Sequence, residues 1–232
     1  MRDPLENREL SFRSAEDDQS GDDGARVFDD TSFRVQLVRD RMNLLSFTTD
    51  ARRGYTDDDL PFMRAWARAR MWEQYANDHS GVCFAFDRDL VTNRLREYLS
   101  PRGMFGAREV TYLPRGFAQT SASRLDLVSF NPYDPEVVTR FVIDNQADLF
   151  FTKTLDWESE YEFRILYSPY KPRDDGYAEA PFGDASSVRA VILGERFPDW
   201  MFPAADWACK RVGVPLLRLQ WVAGLPWPLP AG

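Results

Sequence analysis

The stretch Trp157-Glu158-Ser159-Glu160-Tyr161-Glu162-Phe163-Arg164-Ile165-Leu166-Tyr167 decides how this chain is read. From Ser159 onward it alternates with the period of two that belongs to a strand. Tyr161, Phe163 and Ile165 fall on one face, which can pack on a core. Glu160, Glu162 and Arg164 fall on the other. Neighbours on one face of a strand stand about 7 Å apart. The charged face therefore offers two acids and a clamp for an anion or carbonyl on one rigid element.

Working outward, a helix is expected over about 135–151, with Val138, Phe141, Val142, Asn145 and Leu149 on one face. Residues 188–194 and 216–222 read as strands. Between them, 204–212 reads as a helix ended by Gly213. Upstream, a helix runs from the acidic cap candidates Asp57, Asp58 and Asp59 to about Asn77, with Phe62, Trp66, Ala69, Trp72 and Ala76 as its apolar stripe. Gly81 stops it, and 82–86 reads as a buried strand. Residues 33–42 read as a short helix, 44–48 as a buried strand and 109–112 as a further strand. Strands and helices mix without regular alternation, and no internal repeat is visible. The expected class is α+β, a single mixed, mostly antiparallel sheet with packing helices.

The 232 residues, 44% of them hydrophobic and seven of them Trp, suffice for a sizeable core, and the chain is read as one domain over 1–232. A net charge of −8 argues against a nucleic-acid footprint, although Arg64, Arg68 and Arg70 cluster locally. No apolar run approaches the roughly 18 residues that span a bilayer. Met1-Arg2-Asp3-Pro4 opens without the apolar segment of a secretory signal. Cys83 and Cys209 lie too far apart in sequence to suggest a disulfide framework. The expectation is a soluble, cytoplasmic protein of prokaryotic type. Residues 13–31, acidic and poor in large apolar side chains, read as a mobile loop. Residues 223–232, Pro- and Trp-rich, read as a surface tail unable to extend a sheet interior.

Four segments stand in a particular order: Trp72-x-x-Tyr75-Ala76-x-x-His79-x-Gly81-Val82-Cys83-x-x-Phe86, Val110-Thr111-Tyr112, Lys153-x-x-x-Trp157-x-x-Glu160-x-Glu162-x-Arg164, and Val191-Ile192-Leu193-Gly194. Together they resemble a bacterial family known as domain of unknown function 2971. Arg2-Asp3-Pro4-Leu5-Glu6 is similar to a stretch near the family's beginning, with Arg2 in place of the usual Asn. The resemblance covers about residues 2–8 and 42–195. Members usually carry a few tens of residues before the Asp-Pro motif, including a strand. The resemblance therefore implies a chain shortened at its N-terminus, or a start assigned too far downstream.

Each candidate residue has two readings. Glu160, Glu162 and Arg164 form either a solvated ion-paired strand face or a site in which a carboxylate acts as base or holds a ribose hydroxyl while Arg164 grips an anion. Lys153 is a second anion clamp or a surface lysine. Trp157 is a loop anchor or a stacking platform. His79, the chain's one histidine, is a proton shuttle or a helix-end residue bonding the last carbonyls. Trp72 and Tyr75, on the same expected helix face, are core or pocket wall. Cys83 reads as a small buried strand residue. His and Cys are too few for a metal site of that kind, while Asp3, Glu6, Glu160 and Glu162 could converge on Mg²⁺ or Mn²⁺.

Three functions remain open. The first is an enzyme on a nucleotide-like substrate, with NAD as cofactor and a layout similar to ADP-ribosyltransferases. The second is a non-catalytic sensing module for a small anionic ligand, in stress or phage defence. The third is a protein-interaction module whose charged strand only locks the fold.

Overall fold

The structure is a computed structural model that describes residues 12–14, 22–50, 64–125, 130–171, 179–180 and 185–231. The cap candidates at 57–59, Phe62, and the Asp3 and Glu6 motif lie outside the described residues. The chain divides into two compact units, residues 1–47 with 102–178 and residues 48–101 with 179–232.

The first unit holds helix α1 (Asp22–Arg39) and strands β1 (Arg13–Ser14), β2 (Asn43–Thr48), β4 (Gly103–Glu109), β5 (Thr111–Leu113), β6 (Arg124–Leu125), β7 (Thr152–Thr154) and β8 (Glu162–Pro169). Helices α4 (Pro135–Asp144) and α5 (Gln146–Phe150) complete it. Strand β8 runs between β2 and β4, antiparallel to β4. Parallel pairs join β5 to β7 and β1 to β6. The class is α+β, and antiparallel ladders are the longer ones. The single sheet is corrected: the described strands make four sheets. The expected strand at 109–112 shows why. Val110 N–H still donates to the Glu162 carbonyl, but Thr111 N–H turns to the Phe151 carbonyl, so the chain changes partner between these two residues.

The loop expected at 13–31 is also corrected, because residues 22–31 begin α1. Asp29 and Asp30 are exposed, while Thr31 and Val35 are fully buried and Phe28 and Val38 pack on the core. The acidic residues are one face of an amphipathic helix, and charge composition alone hid the apolar stripe. Residues 15–21 lie outside the described residues. Helix α1 packs with α4, and the face expected on 135–151 is the observed one, with Val138, Val142 and Leu149 buried. Asp134 caps α4 by accepting from the Glu136 N–H at 2.9 Å, and Pro135 fits the first turn. The expected single helix breaks at Asn145, whose side-chain amide donates to the Phe141 carbonyl.

The second unit holds β3 (Val82–Phe86), β9 (Val188–Leu193), β10 (Leu216–Val222) and β11 (Leu225–Pro230) in one sheet of order β11-β10-β9-β3. It also holds helices α2 (Ala69–Tyr75), α3 (Arg88–Leu99) and α6 (Phe202–Val212). Trp72 packs with Ile192 and Leu219, and Cys209 and Val214 pack with Val191. Ile192 and Val191 are sequence neighbours on one strand, so the two clusters cover opposite faces of the sheet.

Four expectations change here. The long helix to Asn77 is a 3₁₀ turn at Ala65–Ala67, an extended Arg68 and the short α2. Within the tail expected at 223–232, Leu225–Pro230 is a strand, joined to β10 by a two-residue turn in which Ala223 and Gly224 have φ of 53° and 79°. It is an edge strand, which proline tolerates. Strands β2 and β3 form where expected but are not buried, with Leu44, Leu45, Val82 and Phe84 all exposed. Cys83 is half-buried and Cys209 buried; both are free thiols, and burial pushes the Cys83 thiol up to about 11. Among the described residues no helix is long and apolar enough to cross a membrane.

Candidate functional site

Lys153 is the middle residue of β7 and lies in register with Tyr112 of β5. After β7 the chain winds through a 3₁₀ helix, Leu155–Glu160, and turns at Tyr161 with φ 46°. Strand β8 then starts at Glu162. The alternation expected from Ser159 is therefore corrected: Glu160 is not on the strand, and Tyr161 is left-handed. Only Glu162 and Arg164 share a face by strand period. Glu160 reaches them because the 3₁₀ turn folds it back onto Lys153.

The four charges meet in a compact cluster. Lys153 Nζ lies 2.8 Å from Glu160 Oε2 and 3.3 Å from Glu162 Oε1. Arg164 Nε lies 2.6 Å from Glu162 Oε2. Arg164 also donates to the Phe150 carbonyl at 2.6 Å, the last residue of α5, where a cation complements the helix end. The Glu162 N–H donates to the Tyr112 hydroxyl at 2.9 Å. The Trp157 ring lies over the ammonium, with Lys153 Nζ 4.8 Å from its centroid.

All four charged side chains are withdrawn from water. Side-chain exposure is 6% for Lys153, 1% for Glu160, 11% for Glu162 and 4% for Arg164. The face is thus no solvated strand surface, since Phe163 and Ile165 on its reverse are buried too. Burial works against the Lys153 ammonium, but the Glu160 hydrogen bond and the two carboxylate charges outweigh it and raise its pKa. Burial pushes the Tyr112 hydroxyl up to about 12, with the Glu162 and Glu160 charges adding to the rise.

Two cations facing two carboxylates leave no surplus charge. Such a set holds its segment rigidly, because every buried charge has an opposite partner. It can also hold a proton-accepting carboxylate at a fixed point, and Glu162, bridging both cations, is the most exposed member. Tyr112 belongs to this cluster, and sequence reasoning does not single it out as a site residue. Its signal is its place in Val110-Thr111-Tyr112, but only the parallel β5–β7 pairing brings it to Glu162.

Trp72, Tyr75 and His79 lie in the second unit. Trp72 is core, 2% exposed, with its indole N–H donating to the Trp66 carbonyl at 2.6 Å; Tyr75 is exposed. The spacing places His79 on a helix face with Trp72 and Tyr75, and this is corrected: the helix ends at Tyr75, before it. Asn77, Asp78 and His79 have φ of 46°, 52° and 65°, a left-handed run that non-glycine residues rarely adopt. The turn is held by Gly81 N–H on the Ala76 carbonyl at 2.7 Å and by an Arg196–Asp78 ion pair. It places the His79 ring against Trp72 and Trp221. The His79 carbonyl accepts from the Arg196 N–H, and a Cβ on Gly194 would stand 2.0 Å from it, so only glycine fits there.

Among the described residues no three His, Cys, Asp or Glu side chains are placed to hold a metal ion. Glu160 and Glu162 face Lys153 instead, and Asp3 and Glu6 lie outside the described residues.

The family model described as Protein of unknown function (DUF2971) matches residues 71–165. The matched stretch runs from α2 through the charged cluster and so draws on both units. No curated protein and no solved structure matches the chain.

Proposed function

We propose that this chain is a non-catalytic interaction module in which the Lys153–Glu160–Glu162–Arg164 cluster is a structural lock. The observation that carries the reading is mutual neutralisation under burial. Lys153 and Arg164 already face Glu160 and Glu162 at 2.6–3.3 Å, so an anionic ligand would have to displace a buried carboxylate from its cation. Breaking such a pair leaves a buried charge unmatched, at a cost of about 3–5 kcal/mol. Trp157 supports the same reading by covering the ammonium.

A second reading is favoured by one feature. Glu162 is the most exposed of the four and sits between both cations, the position for a carboxylate that holds a ribose hydroxyl and stabilises oxocarbenium-like charge. That reading makes the chain an ADP-ribosyltransferase-like enzyme using NAD.

One pair of measurements separates them. Nicotinamide release from NAD is assayed for the wild type and for Glu162→Gln, with unfolding of both followed in parallel. The lock predicts no release by either protein and a clear loss of stability in the variant. Release by the wild type, abolished in a variant of unchanged stability, would overturn it in favour of the enzyme.

A further inference from the structure

The sheet of the second unit treats its two edges differently. On β11, Ala231 N–H donates to the Leu216 carbonyl, which extends the β10–β11 register by one pair. Hydrogen-bonded pairs alternate along an antiparallel ladder, so residues 225, 227 and 229 point their N–H groups inward to β10. Pro226, Pro228 and Pro230 occupy the outward positions. Their missing donors all fall on the outer edge, so β11 offers no N–H to an added strand.

The opposite edge, β3, has no such seal. Gly194 N–H donates to the Gly81 carbonyl, which sets the hydrogen-bonded pairs at 81, 83 and 85. Val82 and Phe84 therefore turn their backbone N–H and C=O groups away from β9. Those groups have no backbone partner among the described residues, and the side chains of Val82 and Phe84 are 37% and 57% exposed on one face. Unpaired backbone groups flanked by apolar side chains are what a further strand recognises.

We infer that β3 docks β3 of a second copy of this chain, antiparallel, about a two-fold axis at Cys83. The strand is self-complementary in this register: Val82 of each copy lies opposite Phe84 of the other, so the outward groups of these two residues satisfy one another. A foreign strand would satisfy the same groups but leave its own outer edge open. Two-fold pairing yields one sheet whose outer edges are both proline-sealed β11 strands, so assembly closes at two. Two five-residue strands bury well under the roughly 1,200 Å² of tight complexes, so the dimer is weak and forms with rising concentration. The inference names a partner for the interaction module, but its geometry does not use the charged cluster.

Sedimentation velocity over a concentration series, up to near-millimolar protein, tests it. The wild type is expected to pass from monomer to dimer. Phe84→Lys is expected to weaken dimerisation tenfold or more with an unchanged unfolding midpoint, and Trp227→Lys, on the sealed strand, to leave it unaltered. Should Phe84→Lys fail to fold, Val82→Lys carries the same expectation. A wild type that stays monomeric throughout, larger open-ended assemblies, or a dimer untouched by a folded Phe84→Lys or Val82→Lys would each overturn the inference. None of these outcomes bears on the NAD assay, so failure of the dimer and failure of the structural lock are separable.

Discussion

The segment that the family model matches contains two regions that handle unsatisfied groups in opposite ways. Between Lys153 and Arg164, every charged side chain of the cluster is buried against an opposite charge, and the helix end at Phe150 is capped. Between Asn77 and Phe84, three residues hold left-handed backbone, and the strand that follows has no further strand beside it among the described residues and exposes the side chains of Val82 and Phe84. The first region leaves no charge of the cluster without an opposite one beside it. The second keeps left-handed backbone, which persists only where surrounding structure holds it. Residue type would have ranked them the other way, since charges suggest a site and a Val-Cys-Phe-Ala-Phe strand suggests core.

The contrast breaks most visibly through Lys153→Met. Removing one partner leaves Glu160 buried without its cation, and a loss of about 3–5 kcal/mol is expected in urea unfolding. Adding Glu160→Leu should recover most of that loss, because a well-packed apolar replacement of a buried pair is often neutral. No loss from Lys153→Met alone would mean that the cluster is not a structural lock.

A pH titration sharpens the same side. Tyr112 and Lys153 both have folded pKa values raised above their unfolded ones. Their contribution to stability is complete below about pH 10, the unfolded range of both groups. It is lost as pH climbs through the folded values, about 12 for Tyr112. Unfolding midpoints should fall across that alkaline window, and Tyr112→Phe should flatten the fall. A midpoint that rises over this window would contradict the burial assigned to Tyr112.

The smallest expected effect belongs to the left-handed turn. Asn77→Gly relieves backbone strain and loses only the exposed amide contact to Ser80. Stability should be unchanged or higher by up to about 1 kcal/mol. A clear loss in thermal unfolding would show that the turn is not strained as its φ values indicate.

Much of the fold is legible in the amino-acid sequence. Strands at 82–86, 188–193 and 216–222, and the helix ended by Gly213, follow from local apolar runs and a glycine stop, signals that need no distant partner. The buried face of α4 is legible for the same reason. The amphipathic start of α1 is not, because Asp29 and Asp30 dominate the composition while its apolar stripe is defined by what α4 presents to it. The strand at 225–230 is hidden by its prolines, which are acceptable only because the strand lies at an edge. In the candidate site, residue type and spacing select Lys153, Glu160, Glu162 and Arg164 but not Tyr112.

Local pattern by itself determined the strands at 82–86, 188–193 and 216–222, the helix ended by Gly213, the α+β class, and the residue types that could carry chemistry. Only tertiary structure decided that the charges neutralise one another, that Glu160 joins them from a turn rather than a strand, and that β3 is the last of the described strands in its sheet. The reason is physical. Periodicity records which side of an element is apolar, whereas the state of a charge or a backbone N–H depends on what long-range pairing brings within about 3 Å of it.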